Sequence, residues 1–179
     1  MSDLVVLTYE NEEKAAEVLA EIATLKQDNV QKALIQIEDA AVAVKDEDGN
    51  VKIKQTLESI VKGSRMMSGG FWGLLIGFLF GGPLIGALLG VGLNALLGRK
   101  IDIGIDNNFI DELSNQLDVG NSAIFLLTNN TPVEDIASAL KGHGGDLLHT
   151  SFTAESADLF VQASEHEEIK EAVEEHMEA

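Results

Sequence analysis

The residues of this 179-residue chain whose types could carry chemistry are four histidines and a cluster of glycines near its end. Lys141-Gly142-His143-Gly144-Gly145 could form a small anion-binding or metal-touching loop, or simply a glycine helix C-cap and turn. Asp146, His149 and Ser151 place the residue types of a hydrolytic triad in one short run. Strand alternation puts His149 and Ser151 on one face but supplies no activating geometry, so no hydrolase is expected. His143, His149, His166 and His176 do not recur at a metal-ligand spacing. Cysteine is absent, which removes both a disulfide framework and a cysteine zinc site. The long glycine-rich stretch in mid-chain has no Gly-Lys-Ser/Thr end and is no phosphate loop. GLLIGFLFGGP also lacks the spacing and the preceding strand of a dinucleotide fingerprint. No catalytic residue, metal, cofactor or small-molecule substrate is expected.

What organises the chain is that mid-chain stretch. Residues 66–98 read MMSGGFWGLLIGFLFGGPLIGALLGVGLNALLG, 33 residues without one Asp, Glu, Lys, Arg or His, and they hold ten of the 17 glycines. Gly69, Gly73, Gly77 and Gly81 recur every four residues, and a second register follows with Gly82, Gly86, Gly90, Asn94 and Gly98. Residues four apart share one helix face. Each half therefore carries a stripe without side chains, at about 1 kcal/mol of helix propensity per glycine. Close backbone approach between helices compensates, and Asn94 could hydrogen-bond across them. The spacing predicts two helices, roughly 68–80 and 84–97. They turn back on each other at Gly81-Gly82-Pro83, where proline suits a first turn. This is a glycine-zipper helical hairpin.

The flanks bear on where such a hairpin sits. Each arm of about 14 residues reaches only ~21 Å, short of a ~30 Å hydrocarbon core. Lys62 and Arg65 precede the stretch and Arg99 and Lys100 follow it. A hairpin keeps all four on the cytoplasmic side, as the positive-inside rule requires. Trp72 beside Phe71 could anchor at the membrane interface, or simply pack. The leading expectation is thus a non-enzymatic, homo-oligomeric protein on the cytoplasmic face of the inner membrane, with the bilayer and its own copies as partners. The runner-up is a soluble ring, shell or filament whose core is the packed hairpins, and a third, weaker reading is a small-ligand or metal sensor. Burial of the stretch inside a monomer ranks below the first two. The start, MSDLVVLTYENEEK, lacks the features of a signal peptide.

Charge sharpens the picture. Of the 12 Lys and Arg, four lie within 62–100, which contains none of the 30 Asp and Glu, so the rest of the chain carries a net charge of −22. A body that acidic is repelled by nucleic acid and by anionic headgroups, and nucleic-acid binding is excluded. Only the basic collar around the hairpin suits phosphates.

The elements that position these residues follow in order. Leu4 to Tyr9 reads as a buried strand, and Asn11 caps a helix running to about Lys26 with Ala15, Val18, Leu19, Ile22 and Leu25 on one face. A strand region over 33–45 and the alternating Val51-Lys52-Ile53-Lys54 flank an Asp-Gly hairpin signal at Asp46-Glu47-Asp48-Gly49-Asn50. Ile101 to Ile105 alternates briefly. A helix over about 107–117 follows, closed by Gly120, and then a strand over 122–128. Thr131-Pro132-Val133-Glu134 opens another helix, ended by Lys141-Gly142, and 146–152 reads as a strand. The tail from Glu155 is an acidic amphipathic helix carrying Leu159, Phe160, Ile169 and Val173.

LVVLTYENEEKAAEVLAEI and AIFLLTNNTPVEDIASAL share strand, Thr, polar cap and helix. Two such units suggest an α+β, ferredoxin-like (split βαβ) sandwich. Its body would comprise 1–60 and 101–153, the hairpin would be an insertion or edge appendage at 61–100, and the tail helix would occupy 154–179. The order LVVLTY, charged helix, DEDGN hairpin, SGGFWGLLIGFLFGGPLIGALLG and the SAIFLLT strand resembles the bacterial family called domain of unknown function 1269. The likeness spans roughly 1–153 and is most specific in the glycine-rich segment. Members of that family are labelled uncharacterised or membrane proteins, so the resemblance implies membrane association and no assigned reaction.

Overall fold

The computed structural model describes residues 2–24, 37–56, 69–80, 104–129, 132–165 and 171. It is an α+β protein whose five strands, β1 (Ser2–Tyr9), β2 (Ile37–Lys45), β3 (Val51–Thr56), β4 (Ser122–Asn129) and β5 (Asp146–Phe152), form one sheet. The strand order is β3-β2-β4-β1-β5 and every neighbouring pair is antiparallel. β1 and β2 both oppose β4, so they run parallel to each other with β4 between them. β4 and β5 flank β1 in the same way.

Helices cover both sheet faces. Val5, Leu7, Ala40, Val42, Ile124 and Leu126 point to one face, where α1 (Lys14–Thr24) contributes Ala15, Val18, Leu19 and Ile22 and α4 (Val133–Leu140) contributes Ile136 and Leu140. The alternate residues Leu4, Val6, Ala41, Ala43, Ala123, Phe125 and Leu127 point to the other. There α2 (Gly69–Phe80), α3 (Asn107–Gln116) and α5 (Ala154–Ser164) complete the second core. With both faces covered, the central strands read as near-continuous apolar runs, which is why LVVL and AIFLL alternate so little.

Local chemistry sets the boundaries. The Asn11 Oδ1 accepts from the backbone N–H groups of Glu13 and Lys14, as an N-cap should. Asp106 and Thr153 cap α3 and α5 in the same way. The β2–β3 hairpin turns at 46–50, where Gly49 adopts φ +82° and Asp46 accepts from the N–H groups of Asp48 and Asn50. Those hydrogen bonds, led by the one from Asn50, together with Lys52 hold the Asp46 carboxyl below its ordinary range. Lys45 Nζ donates to the Leu117 carbonyl at the end of α3, the favourable place for a cation.

Most elements lie where the sequence reading put them, with trimmed ends. The second strand begins at Ile37, and the 104–106 stretch is not in a strand. Thr131, residues 101–103 and the whole of the expected second arm, 84–97, lie outside the described residues.

Candidate functional site

The expected first arm is a helix, α2, and its position is the structure's main finding. Phe71, Trp72, Leu74, Leu75, Ile76 and Leu79 are each at most 4 % exposed, and Gly73 and Gly77 are buried with them. A helix apolar on every side needs cover on every side, and α2 packs against β3 and α5. Aromatic edges fix it there. Phe71 meets Phe160 at 6.2 Å between ring centroids, Phe78 meets Phe160 at 5.9 Å, and Phe80 meets Phe125 at 6.4 Å. The first half of the apolar stretch, 69–80, is thus a buried helix packed on β3 and α5.

Trp72, expected at a membrane interface or in simple packing, is fully buried. Its indole Nε1–H donates to Asp39 Oδ2 at 2.9 Å, while Asp39 Oδ1 accepts from the Ala40 N–H. Asp39 is itself 1 % exposed. A carboxylate removed from water needs such donors, and this pair ties α2 to β2. The sequence carried a signal for it. Asp39 lies in the register of Ala41 and Ala43, which face the core.

Of the other expected contact residues, Gly69 lies on α2. Gly81, Gly82, Gly86, Gly90, Asn94 and the basic residues Lys62, Arg65, Arg99 and Lys100 lie outside the described residues. Among the described residues, no helix is long and apolar enough to cross a membrane. At 12 residues, α2 spans about 18 Å.

The polar candidates sort differently from their order in sequence. β1 pairs with β5 so that Asp3 lies opposite Ser151 and Thr8 opposite Asp146. Ser151 Oγ donates to Asp3 Oδ1, and His149 Nε2 lies 3.2 Å from the same oxygen and 3.4 Å from Ser151 Oγ. The carboxylate is therefore Asp3, which sequence proximity did not suggest, and not Asp146. Nucleophile–base–orienter chemistry needs the imidazole between the other two groups, with one ring nitrogen for each. Here one nitrogen faces both groups and the serine proton goes straight to the carboxylate, so the cluster is a cross-strand polar tie.

His143 Nδ1 lies 3.4 Å from Glu21 Oε2, joining the loop after α4 to α1. Gly142, Gly144 and Gly145 in that loop have positive φ, and Gly145 lies directly against the Tyr9 ring. His166 and His176 lie outside the described residues. Among the described residues, no group of three or more His, Asp or Glu is placed to hold a metal ion.

The Tyr9 hydroxyl is buried with no hydrogen-bond partner among the described residues, and burial pushes it up to about 12 from an ordinary 10.0. The neutral phenol is favoured only in the folded state, so the associated stability is fully present below pH 10. It is lost as pH rises towards 12. Phenolate absorbance of this single tyrosine is expected to stay silent near pH 10 while the fold persists. A phenolate signal there with native circular dichroism would contradict the burial.

A cavity of about 640 Å³ lies between the start of α3 and β5, lined on one side by Asp106, Phe109 and Glu112 and on the other by residues 147–151.

Against this geometry stands the comparison with protein families. The model of the family described as "Protein of unknown function (DUF1269)" matches residues 66–174. The chain belongs to the DUF1269 family. The match begins with the glycine-rich stretch and runs through α2, α3, β4, α4, β5 and α5, so the DUF1269 signature includes the buried helix and α5, against which it packs, while β3 lies before the match. No curated protein and no solved structure matches this DUF1269 chain.

Proposed function

We propose that this DUF1269 protein is a non-enzymatic, membrane-associated homo-oligomer whose acidic α+β body presents a glycine-rich apolar segment to the inner membrane. The observation that carries the reading is the uncharged run 66–98 set between Lys62 and Arg65 on one side and Arg99 and Lys100 on the other. In this reading α2 stays packed on β3 and α5. Residues 82–98 then meet lipid or a second copy. Gly69, Gly73, Gly77 and Gly81 form one half of the zipper and Gly82, Gly86, Gly90 and Asn94 the other. The four basic residues meet lipid phosphates, and the acidic body stays away from the headgroups. The body itself is a ferredoxin-like sandwich. This is supported by the two strand–helix–strand units, β1-α1-β2 and β4-α4-β5, each of which rejoins the sheet one strand away from its start.

The enclosure of α2 favours a second reading, a soluble assembly of the same chain. Fractionation of the full chain without detergent separates the two. Sedimentation with membranes and release only by detergent are expected. A discrete large particle in the high-speed supernatant would support the second reading, and a monomer in plain buffer would defeat both. In the membrane case, replacing Arg99 and Lys100 by Glu is expected to lower flotation with anionic vesicles by about tenfold.

A further inference from the structure

The cavity beside β5 does not behave as a pocket on a sheet face. Successive strand residues point to opposite faces. Leu148 and Thr150, opposite Val6 and Leu4, face the core shared with α3, whereas Leu147, His149 and Ser151 face the other way. A cavity on one face would touch alternate residues. This one is lined by all five in succession. It therefore runs along the outer edge of β5, which ends the sheet among the described residues and where strand N–H and C=O groups are presented. Five residues of strand extend about 17 Å.

Shape and charge together select the occupant. Asp106 and Glu112 line the groove on the α3 side, and among the described residues no Lys or Arg lines it. We propose that the outer edge of β5 binds an extended, basic peptide segment of a partner protein, which adds as a sixth strand. Main-chain hydrogen bonds to residues 147–151 hold the segment. Its alternate side chains share one face, so basic residues two apart meet Asp106 and Glu112. The site is independent of the apolar stretch and stands whether or not the protein meets a membrane.

The test uses the full-length protein and a fluorescein-labelled Lys-Val-Lys-Val-Lys-Val peptide, followed by anisotropy, with amide shifts recorded on the labelled protein. Saturable binding with shifts confined to 147–151 and the first turns of α3 is expected. N-methylation of alternate peptide amides removes strand pairing but keeps the charge, and is expected to weaken binding by about tenfold or more. So is replacement of the lysines by glutamate. Glu112→Lys, at an exposed helix position, is expected to weaken the Lys-Val peptide about tenfold with the fold unchanged. Equal binding of the N-methylated peptide, shifts elsewhere on the acidic body, or no binding at all would overturn the proposal. So would a dimer of the protein itself whose 147–151 amides are protected and which excludes the peptide.

Discussion

Replacing Trp72 by alanine is expected to lower the unfolding free energy by about 3–5 kcal/mol, the range for deleting a large buried aromatic. The loss has two sources. A fully buried indole leaves a cavity among Phe71, the α2 leucines and the sheet, and its departure takes from the buried Asp39 carboxylate the N–H that it accepts from at 2.9 Å. Urea unfolding followed by far-ultraviolet circular dichroism measures the change, since the only tryptophan is gone. Trp72→Phe, which refills most of the space but restores no donor, is expected to recover only part of it. Asp39→Leu in the Trp72→Phe background then reports the net effect of the carboxylate once the indole donor is gone. A change under about 1 kcal/mol for Trp72→Ala would mean that α2 is not held in the core as described.

The second large effect is expected at Gly145. Its φ of +91° suits glycine, and a Cβ there would lie 2.7 Å from Tyr9 Cε1, 2.9 Å from Tyr9 Cζ and 3.1 Å from the Thr8 carbonyl oxygen. Gly145→Ala therefore combines backbone strain of about 1–3 kcal/mol with overpacking of similar size, for a total of about 2–6 kcal/mol. The tyrosine can be cut back and the backbone oxygen cannot. Combining Gly145→Ala with Tyr9→Ala should relieve the ring overlap and leave the strain, so the double variant is expected to be less destabilised than the sum of the two singles. Strict additivity in thermal melts would show that Tyr9 does not press on the loop.

The same elements show what was legible in the sequence. The Asn11 cap, the Asp46–Asn50 turn and the apolar runs of β1 and β4 are written in neighbouring residues, and each lies where local chemistry put it. Strand order is a different matter. That β4 lies between β1 and β2 depends on pairings across more than 70 residues, and no local signal records them. The position of α2 was hidden for a physical reason. GGFWGLLIGFLF is apolar on every side, so it shows no polar face to mark it as a helix lying on a sheet. Lipid, a sibling chain and the protein's own interior all satisfy it equally well on paper. Only the buried Asp39, opposite the one indole donor, distinguishes the third. The carboxylate of the polar cluster was hidden in another way. Asp146 is near His149 and Ser151 along the chain, but cross-strand register brings Asp3 to them instead.

The protein carries one tyrosine and one tryptophan, and the sheet separates them: Tyr9 belongs to the layer with α1 and α4, Trp72 to the layer with α2, α3 and α5. Nature has in effect wired each half of the interior to its own lamp. Phenol ionisation reads one side and indole emission the other, in the unaltered polypeptide and without any dye. Were the glycine-rich layer to peel away on meeting a bilayer while its opposite stayed shut, the two colours would part company, and a single titration with vesicles would reveal it.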